Sequence, residues 1–180
     1  MTHLDDARAP SDWVIRFARH IHKGGDVLDL ACGSGRHTKL LLEAGHPVIA
    51  LDRNLDRLGE LRQHARVEAV EADLEVGQAW PFSGRRFAGI VVTNYLHRPL
   101  FQNLADALED NGVLIYETFA QGNERFGRPK NPDYLLRDGE LLHVFADPLY
   151  ILAYEQVERG APNPAVLQRV AAIKNPSHWH

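Results

Sequence analysis

Short apolar runs alternate with amphipathic stretches along the first two thirds of the chain. Each apolar run is too short for a helix and predicts a strand. Between Leu100 and Leu108, apolar residues are spaced three and four apart, which is typical of one face of a helix. Strands that alternate with helices form parallel sheets covered on both faces, so the pattern predicts a doubly wound α/β domain. The predicted strands are Val27–Leu30, Val48–Leu51, Val67–Ala72, Phe87–Thr93 and Val113–Thr118.

Helices are predicted before the first strand and between most of the others. Trp13, Phe17 and Ile21 recur every four residues and predict an N-terminal helix that ends at Gly24-Gly25. Its apolar stripe is typical of packing on a sheet, and a lid over a ligand is the alternative. A second set of periodic residues predicts a helix after the second strand: Leu55, Leu58 and Leu61.

The last third of the chain has a different pattern. A helix predicted around Pro132–Phe145 is followed by two apolar runs, Tyr150–Val157 and Val166–Ile173. The link between these runs is too short for a crossover, so the two strands must be antiparallel. We expect Tyr150–Val157 to be the only reversed strand and to lie at the sheet edge formed with Val166–Ile173. Such a hairpin distinguishes the sheet from that of a dinucleotide-binding domain.

The segment Val27–Thr38 joins an apolar strand to a helix through a turn that contains Gly33 and Gly35. Glycines allow a sharp turn and a close approach of backbone to ligand, so the segment predicts a cofactor site, with a plain structural turn as the alternative. A dinucleotide site requires a small residue where this chain has Thr38. Asp29 would repel pyrophosphate, yet it suits the ammonium and sulfonium charges of S-adenosylmethionine.

Two further carboxylates follow the next predicted strands. Asp52 ends the second strand, nineteen residues after Gly33, where an acid can accept both ribose hydroxyls. Asp73 follows the third strand. Because the carboxyl ends of parallel strands meet at one edge of the sheet, these acids and Asp29 are expected to line a site for a cationic nucleoside.

Taken together, these features resemble the class I S-adenosylmethionine-dependent methyltransferases. Val27–Gly35 resembles the first motif of that family, with Ala31 in place of its usual first glycine. Asp52 matches the ribose-binding acid, Asp73-Leu74 the pair at the adenine edge, and Thr93-Asn94-Tyr95 the end of the fourth strand.

Within that family, the stretch from Asp29 to Asp52 is most similar to the tellurite-resistance type of small-molecule methyltransferase. The resemblance implies a Rossmann-like, mostly parallel sheet of seven strands in the order 3-2-1-4-5-7-6, ending in the antiparallel hairpin. It also implies that S-adenosylmethionine is the cofactor and that the residues binding it are Asp29, Ala31, Gly33, Gly35, Asp52, Arg53, Asp73, Leu74 and Asn94.

Two segments are expected to border the transferred methyl group: residues 94–99 after the fourth strand and 117–128 after the fifth. His97 is the candidate general base, because the pKa of a histidine can be tuned to neutrality, and an ordinary surface histidine is the alternative. Tyr95 orients the substrate or simply packs. Arg98 is the third candidate at the methyl acceptor.

The loop from Glu117 to Asn131 is long for so compact a domain, which is typical of a binding loop. Four basic residues would give its mouth a positive rim suited to an anionic substrate: Arg98, Arg125, Arg128 and Lys130. A solvated charged loop is the alternative.

Composition fits a single domain spanning residues 1–180, with residues 1–10 expected to be disordered. The chain is 44% hydrophobic and 24% charged. A net charge of −4 weakens an assignment to nucleic-acid binding without excluding it. Cys32 is the single cysteine, so no intrachain disulfide can form and a cytoplasmic location is expected. No signal peptide, membrane anchor or metal site is predicted.

The leading interpretation is therefore a methyltransferase that acts on a small molecule by direct displacement, with the basic rim favouring an anionic one. An RNA- or protein-directed methyltransferase that relies on a partner is the second. A cofactor-binding subunit without catalysis is the third. The oligomeric state is left open.

Overall fold

The computed structural model describes residues 9–77 and 79–177. Most of the segment predicted to be disordered, residues 1–8, lies outside them. The α-helices are α1 (Asp12–Ala18), α2 (Arg36–Glu43), α3 (Phe101–Ala107) and α4 (Glu140–Phe145). The strands are β1 (Val27–Leu30), β2 (Val48–Asp52), β3 (Val67–Glu71), β4 (Phe87–Thr93), β5 (Leu108–Phe119), β6 (Tyr150–Arg159) and β7 (Ala165–Ile173). Short 3₁₀ helices occupy Asp56–Gln63, Arg98–Leu100, Asn123–Arg125 and Pro132–Tyr134.

Within these described residues, seven strands form one sheet in the order β3-β2-β1-β4-β5-β7-β6. The five strands from β3 to β5 in this order pair in parallel, while β7 pairs antiparallel with both β5 and β6. The predicted fold class and strand order are confirmed.

The prediction of which strand is reversed was wrong. It named Tyr150–Val157, but β6 runs parallel to β5 at the sheet edge, and β7 is the reversed strand between them. The connections explain this arrangement. The crossover through α4 returns the chain to the end of the sheet at which β5 begins, so β6 runs in the same direction as β5. The hairpin after β6 then reverses the direction of the chain, so β7 is antiparallel to both.

Both faces of the sheet are covered. On one face, α1 and α2 pack against the strands, and the stripe of Trp13 and Phe17 is buried there, as predicted for a core helix. On the other face, α3 and α4 bury Leu104, Leu141 and Phe145. The helix α1 is shorter than predicted, and its last α-helical residue is Ala18.

One predicted helical connection differs from the pattern. The leucines after β2 lie in a 3₁₀ helix interrupted at Gly59, whose φ is +58°. Between β3 and β4, the described residues form turns. Aromatic rings cover that part of the sheet instead: Trp80, Phe82 and Phe87 pack edge to face, with centroids 5.3 Å apart in each successive pair. In the described part of the chain, no helix is both long and apolar enough to cross a membrane.

Candidate active site

The turn after β1 has the backbone geometry that its sequence predicts. Ala31, Gly33 and Gly35 have φ values of +58°, +55° and +80°. Gly35 precedes α2, and a Cβ there would approach side-chain carbons of Leu61 and Leu58 to 2.6 and 2.7 Å. A Cβ on Gly33 would meet no atom within 4 Å, so this side of the turn is open. Ala31 accepts the left-handed conformation at a cost of about 1–2 kcal/mol.

Asp29 holds this turn from behind. Its carboxylate is buried and accepts a hydrogen bond from Thr38 Oγ1 at 2.6 Å. Burial raises the pKa of Asp29 to about 6, although the bonds from Thr38 oppose the shift. Asp29 lines neither of the two cavities described below, and its hydrogen bond with Thr38 fixes the start of α2.

Asp52 connects the end of β2 to the turn. Oδ2 accepts the N–H of Gly33 at 2.9 Å, and Oδ1 accepts the N–H of Asn54 at 3.1 Å. Each oxygen keeps a further lone pair for a ligand. The half-buried carboxylate of Asp52 thus both shapes the turn and faces the space beside it.

A first cavity of about 420 Å³ opens at the carboxyl ends of the parallel strands. Its walls include two acids besides Asp52, namely Asp73 and Glu75, and the half-buried Tyr95. Burial raises the pKa of Tyr95, and the nearby negative charges raise it further. The cavity therefore carries a negative potential. Six of the nine predicted cofactor-binding residues line it: Ala31, Asp52, Arg53, Asp73, Leu74 and Asn94.

A second cavity of about 620 Å³ adjoins the first, because Asn94 and Phe119 line both. It lies on the α1 and α2 side of the sheet, and the segment 9–12 forms part of its wall. The charged residues lining it are Asp12, Arg36, Glu117, Arg128, Arg159 and Arg169.

Glu117 and Arg169 form an ion pair in the wall of the second cavity. They are paired in register across β5 and β7, and Arg169 Nε lies 3.3 Å from Glu117 Oε2. Arg169 also lies 3.8 Å from Glu155 on β6 and stacks over Trp13, 5.6 Å from the ring centroid. The sequence interpretation missed Arg169. The sequence feature that could have identified Arg169 is its charge within the otherwise largely apolar strand β7.

His37 binds the backbone of the N-terminal segment beside the second cavity. Its Nε2 accepts the N–H of Ser11 at 3.0 Å, and its Nδ1 lies 3.4 Å from Thr93 Oγ1. Arg36 Nη1 donates to the carbonyl of Ala9 at 3.2 Å. Burial lowers the pKa of His37 to about 3, so the ring is neutral.

The predicted catalytic residues fall in different places. Tyr95 lines the first cavity, but the described residues lining either cavity do not include His97 or Arg98. Arg98 donates from Nε and Nη2 to the two carboxylate oxygens of Glu140 at 2.6 and 2.9 Å. It also donates to two backbone carbonyls in residues 133–135. Its guanidinium therefore braces a loop.

The other three residues of the predicted basic rim also lie in different places. Arg125 pairs with Glu158 at 2.8 Å and donates to the carbonyl of Gly122, whereas Arg128 lines the second cavity. Lys130 is exposed and is not in the lining of either cavity.

Known proteins share both the sequence features and the fold. The family model of a methyltransferase domain matches residues 27–112, from β1 to within β5. TehB from Haemophilus influenzae has a similar structure, with a TM-score of 0.72 and 20% identity over 89% of this chain. This chain covers 61% of TehB. No curated protein matches the chain in sequence.

Residues 27–112 thus match a methyltransferase domain, and the chain has the fold of solved methyltransferases. Two further solved methyltransferases share the fold. The 1,6-didemethyltoxoflavin-N1-methyltransferase of Burkholderia thailandensis matches with a TM-score of 0.66 and 19% identity, over 90% of this chain and 76% of its own. The N-methyltransferase NodS of Bradyrhizobium japonicum matches with a TM-score of 0.67 and 13% identity, over 91% and 94%.

The first cavity fits S-adenosylmethionine. Its size is typical of a small-molecule site, and its acids suit the cationic ligand. Asp52 would hold the ribose hydroxyls through its remaining lone pairs, and Asp73 with the buried Leu74 would hold the adenine. The open side of the turn at Gly33 would receive the methionine part.

Proposed function

We propose that this methyltransferase acts on a small anionic molecule bound in the second cavity. The observation that carries the proposal is the junction of the two cavities at Asn94 and Phe119 together with the charge of the second one. Four arginines line that cavity against two acids, and such an excess of guanidinium groups favours an anionic ligand.

Arg128 and Arg159 are the residues assigned to the anionic group. Arg128 makes no hydrogen bond or ion pair through its side chain with another described residue. Arg159 donates from Nε to the carbonyl of Asn163 at 2.7 Å, which leaves its two terminal amino groups for a ligand. Arg36 and Arg169 are already engaged by the protein.

When bound, the cofactor supplies a methyl group on a good leaving group, so the chain has mainly to align the acceptor and exclude water. The shared wall of Asn94 and Phe119 would orient the acceptor toward the first cavity. Phe119 and Phe126 add apolar surface that would hold its body.

The size of the second cavity supports a small molecule. About 620 Å³ lies within the usual range for small-molecule sites. The Burkholderia thailandensis neighbour was solved with the small molecule 1,6-didemethyltoxoflavin, which agrees with this class of acceptor.

The first test is to incubate the protein and methyl-labelled S-adenosylmethionine with an anionic metabolite fraction, a neutral and cationic fraction, and RNA. We expect the label in the anionic small molecules. Label in RNA or in protein would contradict the proposal and favour a partner-dependent methyltransferase, and no label in any fraction would favour a non-catalytic subunit.

The second test shows whether Arg128 and Arg159 bind the anionic group of the acceptor. Once an acceptor is found, Arg128→Ala and Arg159→Ala should each raise its KM about 10- to 100-fold, because each variant removes a charged hydrogen-bond donor. The affinity for S-adenosylhomocysteine, measured by calorimetry, should stay at the wild-type value. Arg86→Ala is the matched control, since Arg86 is exposed and lines neither cavity. An unchanged KM in both variants would place the acceptor elsewhere.

A further inference from the structure

We propose that Glu117 is the catalytic base and that it serves a nitrogen atom, so that the acceptor is an N–H compound that also carries an anionic group. This inference rests on the proposed function, since it takes the second cavity as the acceptor site. It replaces His97, which lies in the lining of neither cavity, as the candidate base.

Glu117 lines the second cavity, and its backbone adjoins a residue that both cavities share. Its carbonyl accepts the backbone N–H of Asn94 at 2.9 Å, and Asn94 lines both cavities. Glu117 itself is 5% exposed and contributes to the wall of the second cavity. The acceptor cavity therefore has a buried carboxylate in its wall, on a residue bonded through its main chain to the junction with the cofactor cavity.

The partner of Glu117 leaves it with hydrogen-bonding capacity. Arg169 Nε is 3.3 Å from Glu117 Oε2, but this buried nitrogen forms no hydrogen bond of acceptable geometry with the described residues. The guanidinium thus supports the negative charge of Glu117 without occupying its lone pairs. Because a buried charge is costly unless it is hydrogen-bonded, a donor from the ligand is expected there.

The weak basicity of a carboxylate indicates nitrogen as the reacting atom. A neutral N–H nitrogen attacks through its own lone pair, so a carboxylate has only to accept the proton as positive charge develops on nitrogen. An alcohol oxygen is a poor nucleophile until its proton is removed, which requires a stronger base than a carboxylate. In the proton step the N–H bond breaks and its electron pair stays on nitrogen. The proton forms an O–H bond with Glu117 and then passes to solvent. The rings of Phe119 and Phe126 suit a planar acceptor of this kind.

The charges of the cavity suit a ligand that carries both a donor and an anionic group. Glu117 can accept from the donor, and Arg128 and Arg159 are assigned to the anionic group. The other charged residues in the lining are Asp12 from α1, Arg36 from α2 and Arg169 from β7, and Glu155 on β6 also faces Arg169.

The test uses the full chain, S-adenosylmethionine with a ¹³C-labelled methyl group, and the anionic metabolite fraction. NMR of the product should place the methyl group on nitrogen. Glu117→Gln should lower kcat by about 100-fold or more. Calorimetric affinity for S-adenosylhomocysteine should stay near the wild-type value.

Glu155→Gln is the matched control, because Glu155 faces the same arginine from β6 but is not in the lining of the cavity. It should keep kcat within about threefold of wild type. If Glu117→Gln fails to fold, Glu117→Asp provides the answer, since it keeps the charge of the ion pair, shortens the reach of the base and should lower kcat.

Three results would overturn the inference while leaving the proposed function intact. The first is a methyl group on oxygen or sulfur. The second is a Glu117→Gln variant with kcat within about threefold of wild type, and the third is a Glu155→Gln variant that loses as much activity as Glu117→Gln. Failure of the wild-type protein to label any small molecule would overturn both proposals.

Discussion

Replacing Asp52 with alanine is expected to weaken binding of S-adenosylmethionine by about 10- to 100-fold, equivalent to roughly 1–3 kcal/mol. The variant removes the acceptor assigned to the ribose hydroxyls. It also releases the Gly33 and Asn54 N–H groups, which the carboxylate binds at 2.9 and 3.1 Å. Ligand contact and the shape of the glycine turn are therefore lost together. Isothermal titration calorimetry with S-adenosylmethionine measures the effect.

Asp56→Ala is the control for that experiment. Asp56 begins the following 3₁₀ helix, is exposed, and is not in the lining of either cavity. Its loss should leave the affinity unchanged. An Asp52→Ala variant that binds the cofactor as tightly as wild type would show that Asp52 does not hold the ribose.

Two variants of the buried residues around α2 should give opposite pH dependences of stability. In Asp29→Asn, the free energy of unfolding should fall as the pH is lowered from 6 to 4. In His37→Gln, it should rise over the same interval. The difference between the two variants should change by up to about 5 kcal/mol, and urea unfolding at a series of pH values measures it.

The signs follow from burial of each group. Burial lowers the pKa of His37 from 6.5 to about 3, so between these values the unfolded chain binds the extra proton and acid destabilises the fold. Burial raises the pKa of Asp29 from 3.8 to about 6, so there the folded chain binds the extra proton and acid stabilises it. Each variant removes one of two effects that nearly cancel in the wild type.

The comparison of the two variants isolates these residues. Other titrating groups contribute equally to both, so the difference in slope belongs to Asp29 and His37. Asparagine can still accept from Thr38, and glutamine can still accept from the N–H of Ser11. Equal slopes in the two variants would mean that neither group has a shifted pKa in the folded chain.

The cofactor side of the site was predictable because its signals are local. A glycine turn lies within a few residues of sequence, and the acids Asp52 and Asp73 stand where strands end. Parallel pairing brings such strand ends to one edge whatever the details of packing. Six predicted residues line the first cavity for this reason. Asp29 does not line this cavity, because it lies within a strand and its side chain points to the face of the sheet where Thr38 binds it.

The acceptor side depends on contacts distant in sequence. Arg98 looked free in the sequence, but Glu140, forty-two residues away, binds it at both carboxylate oxygens. Glu117 and Arg169 meet only because β7 inserts beside β5. The sequence marks such residues as charges within apolar strands without indicating which strand will lie next to them. The same uncertainty affected the reversed strand.

A crystal structure of the protein with S-adenosylhomocysteine would show directly which cavity holds the cofactor. We expect the adenosyl group to fill the first cavity, with the ribose hydroxyls on Asp52. We expect the sulfur to lie at the junction formed by Asn94 and Phe119 and to face into the second cavity. A sulfur that faces away from the second cavity, or a ligand that fills that cavity itself, would contradict the account.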